Sequence, residues 1–112
     1  MTRFHRAARV KDVPPGTGTV VTVNGAKLAL FNVGGAFHAL SNTCPHQGGP
    51  LGEGFLQGPV VTCPLHFWRF DVRTGQAPEF PEAAVDRYPV KVEGEDVLVG
   101  EAPLPAAPAE GR

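Results

Sequence analysis

Four residues in this chain could do chemistry together: Cys44, His46, Cys63 and His66, spaced C-x-H-x16-C-x2-H, with a proline after each cysteine at Pro45 and Pro64. Each of two short segments offers one thiolate and one imidazole, so the pattern points to a metal centre with mixed sulfur and nitrogen ligation. In extended chain, residues two apart point the same way with Cα atoms about 6.5 Å apart. That spacing suits two neighbouring metal ions better than one tight chelate. Other readings of the four residues are two buried cysteines with incidental histidines, a Cys–His nucleophilic pair, and a structural zinc. A hydrolase has no need of the duplicate pair. Zinc accepts Cys2His2, but its usual spacing segregates the cysteines from the histidines, whereas here each segment mixes them.

The chain between the two segments must fold back to bring them together. Of the sixteen residues between His46 and Cys63, five are glycine (Gly48, Gly49, Gly52, Gly54, Gly58) and two are proline (Pro50, Pro59). Such a composition makes sharp turns and lets backbone approach closely, so a return hairpin is expected.

The stretches Cys-Pro-His-Gln-Gly-Gly (44 to 49) and Cys-Pro-Leu-His-Phe-Trp-Arg-Phe-Asp-Val-Arg-Thr-Gly (63 to 75) resemble the two cluster-binding loops of the Rieske [2Fe–2S] proteins. The resemblance implies one [2Fe–2S] cluster, with Cys44 and Cys63 on one iron and His46 and His66 on the other. Two ferric ions, two sulfides and two thiolates sum to zero charge. Reduction then creates a single negative charge, where four thiolates would start from two, so the electron is added more easily. The histidines would lie at the electron exit.

Departures from the family pattern refine the expectation. Respiratory members join their loops by a disulfide between two further cysteines; Gly49 and Leu65 stand at those places, and the chain's two cysteines are both needed as ligands. High-potential members also carry a serine and a tyrosine whose hydroxyls donate to the sulfurs, where this chain has Trp68 and Phe70. Fewer donors stabilise the reduced state less, which predicts a potential near the lower end of the general Rieske range of about −150 to +300 mV. Backbone N–H groups of 47 to 49 and 65 to 67 are the remaining candidate donors to sulfur. Pro78 and Pro81 resemble the family's proline-bearing third loop that covers the cluster. Phe67 could form part of a docking patch, while Trp68 and Phe70 read as core or shielding residues. Arg69, Asp71 and Arg73 read as a solvated strand face, and His5 and His38 as ordinary strand histidines.

The elements that must hold this site are strands. Thr19 to Val23 and Lys27 to Val33 flank Asn24-Gly25, a strong two-residue hairpin signal, and Gly34-Gly35 turns into Ala36 to Leu40. Further strands are predicted at Pro59 to Thr62, Phe67 to Val72, Asp86 to Glu93 and Val97 to Gly100. Amphipathic helical periodicity is absent. The expectation is an all-β Rieske-type fold of small antiparallel sheets with the metal loops at one tip. Residues 1–101 would form that domain and 102–112, rich in Pro and Ala, a mobile tail.

With 112 residues, 42% of them hydrophobic and 19% charged, and a net charge of −1, the chain fits one ordinary globular domain. Its basic residues are scattered, which argues against nucleic acid or anionic lipid as partner. No signal-peptide pattern or membrane-length apolar run occurs, and cysteines reserved for a cluster agree with a reducing cytoplasm. By resemblance the chain is a monomeric electron carrier, not itself an enzyme. It would take electrons from an NAD(P)H-dependent flavoprotein reductase and give them to a terminal oxygenase of a dioxygenase system. The alternatives are a small subunit of an assimilatory nitrite reductase and a zinc-stabilised interaction module.

Overall fold

The computed structural model describes residues 3–43, 50–64 and 67–104. They form twelve strands: β1 (Phe4–Arg9), β2 (Thr17–Val23), β3 (Ala26–Val33), β4 (Ala36–Ser41), β5 (Phe55–Gln57), β6 (Val60–Thr62), β7 (Arg69–Asp71), β8 (Gln76–Ala77), β9 (Phe80–Ala84), β10 (Arg87–Tyr88), β11 (Val90–Glu93) and β12 (Asp96–Gly100). Short 3-10 turns cover Val10–Asp12 and Leu51–Glu53. Every strand pairing is antiparallel, in sheets ordered β1-β12-β11, β10-β4-β3-β2, β5-β6-β7 and β8-β9. The all-β expectation holds.

The central hairpin follows directly from its turn. Asn24 and Gly25 both take positive φ, 50° and 85°, the backbone a two-residue hairpin needs to match strand twist. Val23 therefore faces Ala26, and the register runs on to Thr17 opposite Asn32. Strand β3 is apolar at consecutive positions because both its faces are covered. Leu28 and Leu30 pack with Val13, Val21, Val23, Ala39, Val97 and Val99. Ala29 and Phe31 point the other way, into a second core with Leu40, Leu51, Val61, Cys63, Phe70 and Val72. Period-two alternation along one strand thus fixes the β1-β12-β11 sheet on one side and the segments carrying the metal loops on the other.

Each of the seven predicted strands differs at one end or both, and two change most. Phe67 to Val72 narrows to Arg69–Asp71: Phe67 takes a left-handed φ of 61°, and past Asp71 the chain turns, Gly75 N–H donating to the Asp71 carbonyl at 2.7 Å. Asp86 to Glu93 is two strands, not one. Pro89 separates β10, which pairs with β4, from β11, which pairs with β12, so the chain changes sheet at the one residue there without an N–H to donate. Strand β1 bears out the reading of His5 as a strand histidine, though the sequence sets no bounds for it. At the C-terminal end Leu104, which sequence places in the tail, donates its N–H to the Arg87 carbonyl at 2.7 Å; 105–112 lie outside the described residues. Among the described residues no helix is long and apolar enough to cross a membrane.

Candidate metal centre

Cys44 and His46 lie outside the described residues, between two legs whose geometry is defined. Strand β4 ends at Ser41, and Thr43 bridges Pro50 across the base of the loop. Below that bridge Asn42 accepts twice from the returning leg: its carbonyl from Leu51 N–H and its Oδ1 from Gly52 N–H, both at 2.8 Å. Sequence reasoning missed Asn42.

The return leg leads straight to the second loop. Phe55 pairs with Thr62 as β5 lies against β6, and the approach is so close that a Cβ on Gly54 would collide with the Thr62 carbonyl. Next comes Cys63. Its N–H donates to the Trp68 carbonyl at 2.7 Å and its carbonyl accepts from Phe67 N–H at 3.1 Å, so Cys63 is tied to Phe67 and Trp68 between β6 and β7. Phe67 N–H, expected as a donor to sulfur, is directed to this carbonyl instead. Leu65 and His66 lie outside the described residues, as do the other expected donors at 47 to 49.

Cys63 is only 1% exposed, has no disulfide, and packs in the second core with Leu51, Val61 and Phe70 while the half-buried Trp68 packs against it. Phe70 is thus a core residue and Trp68 a covering one, as sequence suggested. Among the described residues no three metal-ligating side chains converge, three of the four expected ligands falling outside them.

The other expected features lie around this core. His5 on β1 places Nε2 2.7 Å from Glu101 Oε1, and His38 on β4 is half-buried opposite Phe31, so both are strand histidines. Burial chiefly holds the His38 imidazole below its ordinary range, the Asp71 charge opposing and Arg73 adding to that effect. Arg69 and Arg73 are exposed; Arg69 is ion-paired to Glu79, and Arg73 to Asp71. Glu79 follows Pro78 in the β8-β9 turn, so its ion pair ties the proline-bearing hairpin to β7, the strand that leaves the second loop. The Pro81 side chain lies outside the described ones. Among the described residues Phe67 and Phe55 are the most exposed large apolar ones, at 66% and 63%; sequence reasoning singled out only the first.

The Rieske [2Fe-2S] domain profile matches residues 3–99. The chain belongs to the Rieske [2Fe–2S] family. It is 43% identical over 98 residues to the biphenyl dioxygenase ferredoxin subunit of Pseudomonas sp. (strain KKS102), covering 86% of this chain and 90% of that one. A chain in the complex of reduced oxygenase and oxidized ferredoxin in carbazole 1,9a-dioxygenase superposes with a TM-score of 0.81 at 32% identity, covering 90% of this chain and 95% of that one. A Mycobacterium tuberculosis protein described as an NADH-dependent nitrite reductase small subunit superposes at a TM-score of 0.84, covering 91% of this chain and 97% of that one, but at 24% identity this shows the shared fold alone.

The cofactor of this Rieske protein is one [2Fe–2S] cluster. The described residues fit it: a buried thiol without a disulfide heads one of the two predicted metal loops, and it shares a core with Leu51, which follows the Thr43–Pro50 bridge at the base of the loop whose sequence holds a further cysteine and histidine. Apolar cover at such a site limits water and so lowers the local dielectric, one of the levers on potential.

Proposed function

We propose that this Rieske protein is a one-electron carrier that takes electrons from an NAD(P)H-dependent flavoprotein reductase and delivers them to a terminal oxygenase, as a free cytoplasmic monomer with no catalytic residues of its own. The observation that carries this reading is the 43% identity to a dioxygenase ferredoxin subunit along nearly the whole of both chains. Cys44 and Cys63 would hold one iron and His46 and His66 the other. When bound, the cluster supplies a reversible one-electron site.

The chain's own residues do the rest. Strands β6 and β7 present the second loop, and the Cys63–Trp68 and Phe67–Cys63 hydrogen bonds hold its base closed. Phe67 sits in left-handed backbone, a conformation that costs a non-glycine residue on the order of 1 kcal/mol, and still exposes its ring. Neither feature helps the fold. Both suit a small apolar contact that a partner covers transiently, next to His66 in sequence. Phe55, paired with Thr62 just before Cys63, is a second exposed aromatic on the strands that carry this loop.

The test is reconstitution with the reductase and oxygenase of a biphenyl dioxygenase system. Oxygenation that depends on adding this protein, with its monomeric mass in solution, is the expected result. Absence of electron transfer to the oxygenase, together with tight co-purification with a large sirohaem-containing protein, would replace the carrier reading by that of a nitrite reductase subunit.

A further inference from the structure

We infer that Asn42 is a positioning residue for the metal centre: by gripping both legs of the first loop it sets where residues 44 and 46 stand relative to Cys63. The inference rests on the reading that Cys44 and His46 are ligands.

Asn42 is 8% exposed and one of the two buried polar side chains among the described residues. Burying an amide costs free energy unless its polar atoms are bonded. Here Oδ1 accepts from Gly52 N–H at 2.8 Å, its carbonyl from Leu51 N–H at 2.8 Å, and its own N–H reaches the Lys27 carbonyl at 3.4 Å. One residue therefore ties the outgoing leg, the returning leg and β3. Backbone alone could close the base through the Thr43–Pro50 bridge. The side-chain bond adds a further attachment two residues past Pro50 on the return leg, at Gly52, where a Cβ would meet both the Val20 side chain and the Thr19 carbonyl. That crowding leaves the return leg little alternative course. Two residues beyond Gly52, Gly54 lies against Thr62, which precedes Cys63. The path from Asn42 to the second loop is thus short and consists of close backbone contacts, so a shift at Asn42 is transmitted to the separation of the two loops.

Three variants test this in the cluster-loaded protein. Asn42→Ala removes the acceptor and leaves the buried Gly52 N–H without it, which should speed loss of visible absorbance on dilution roughly tenfold. Loosening the base also lets water closer to the sulfurs, and a more polar surround favours the reduced state's extra negative charge. The midpoint potential should therefore rise and the EPR g values shift. Asn42→Asp keeps an acceptor at the same reach and should restore g values and retention toward those of the native chain. If Asn42→Ala fails to fold, Asn42→Ser, with a shorter acceptor, takes its place and should show the same changes at smaller amplitude. Amide exchange at Gly52, faster in the alanine variant only, gives a readout independent of the cluster.

Native g values and native potential in Asn42→Ala, or in Asn42→Ser where alanine fails, would overturn the inference. Equal perturbation by alanine and aspartate would do the same. A native chain whose reduced spectrum shows no histidine ligation would instead overturn the ligand reading, and this inference with it.

Discussion

Asp71 accepts three hydrogen bonds from Arg73: from the backbone N–H at 2.8 Å, from Nε at 3.0 Å and from Nη2 at 2.8 Å. This ring closes the turn that ends β7, the strand leaving the second metal loop, and it faces His38 across a cleft that Arg87 and Tyr88 also line. Burial alone would raise the Asp71 carboxyl, but the Arg73 hydrogen bonds and charge outweigh it and hold the carboxyl below its usual range.

Stability should therefore depend on pH in two separate windows. The folded His38 imidazole titrates below its ordinary 6.5, so the unfolded chain takes up a proton first. Stability falls as pH drops through 6.5 and stops falling once the folded imidazole is protonated too. Asp71 acts lower: its stabilisation is present above its ordinary 3.8 and is lost as pH falls from there through its depressed folded value. Thermal melts across pH should show that His38→Asn removes the upper dependence and leaves the lower; an unchanged upper dependence would count against His38 as its source.

Core and surface positions next to the second loop should differ sharply. Phe70 is fully buried beside Cys63, so Phe70→Ala should cost about 3–5 kcal/mol. Its neighbour Arg69 makes an exposed ion pair with Glu79, and Arg69→Ala should cost under about 1 kcal/mol. Denaturant titration of the two variants under one cluster-loading condition checks the contrast.

Phe67 should separate stability from partner recognition. Glycine relieves the left-handed strain, about 1–2 kcal/mol, and gives back about 0.5–1 kcal/mol through unfolded-state freedom, so Phe67→Gly should leave the protein as stable or slightly more so. Electron delivery to the oxygenase should nevertheless slow by about tenfold, as for an interface anchor contributing more than about 1 kcal/mol. Stopped-flow reduction of the oxygenase alongside potentiometry is the measurement; native transfer rates would remove Phe67 from the docking surface.

What the sequence made legible, and what it hid, follows from the range of the interactions. The β2-β3 hairpin was readable because Asn24-Gly25 sets its own backbone and the register follows locally. Strand β1 was legible only in His5, read as a strand histidine; its extent was hidden because its register shifts between Arg6 and Ala8 and so breaks the alternation on which a strand pattern depends. The stretch Asp86 to Glu93 reads as one strand because periodicity does not reveal that Pro89 sends its two halves to different sheets. At the metal centre the donor types and spacing were visible in the sequence, and so was the family. Asn42 was not: an asparagine before a loop suggests a turn, but its partner at Gly52 is ten residues on and appears only when the return leg folds back.

Pulsed EPR of the dithionite-reduced protein, read for nitrogen hyperfine coupling, tests the assignment of Cys44, His46, Cys63 and His66 most directly. Two directly coordinated histidine nitrogens are expected in the native chain and one in each of His46→Cys and His66→Cys, with the midpoint potential lowered in both if the second iron is retained. Cys44→Ser and Cys63→Ser should assemble little cluster. A native chain with no coordinated nitrogen, or a nitrogen pattern unchanged in both histidine variants, would contradict the mixed ligation on which the proposed function stands.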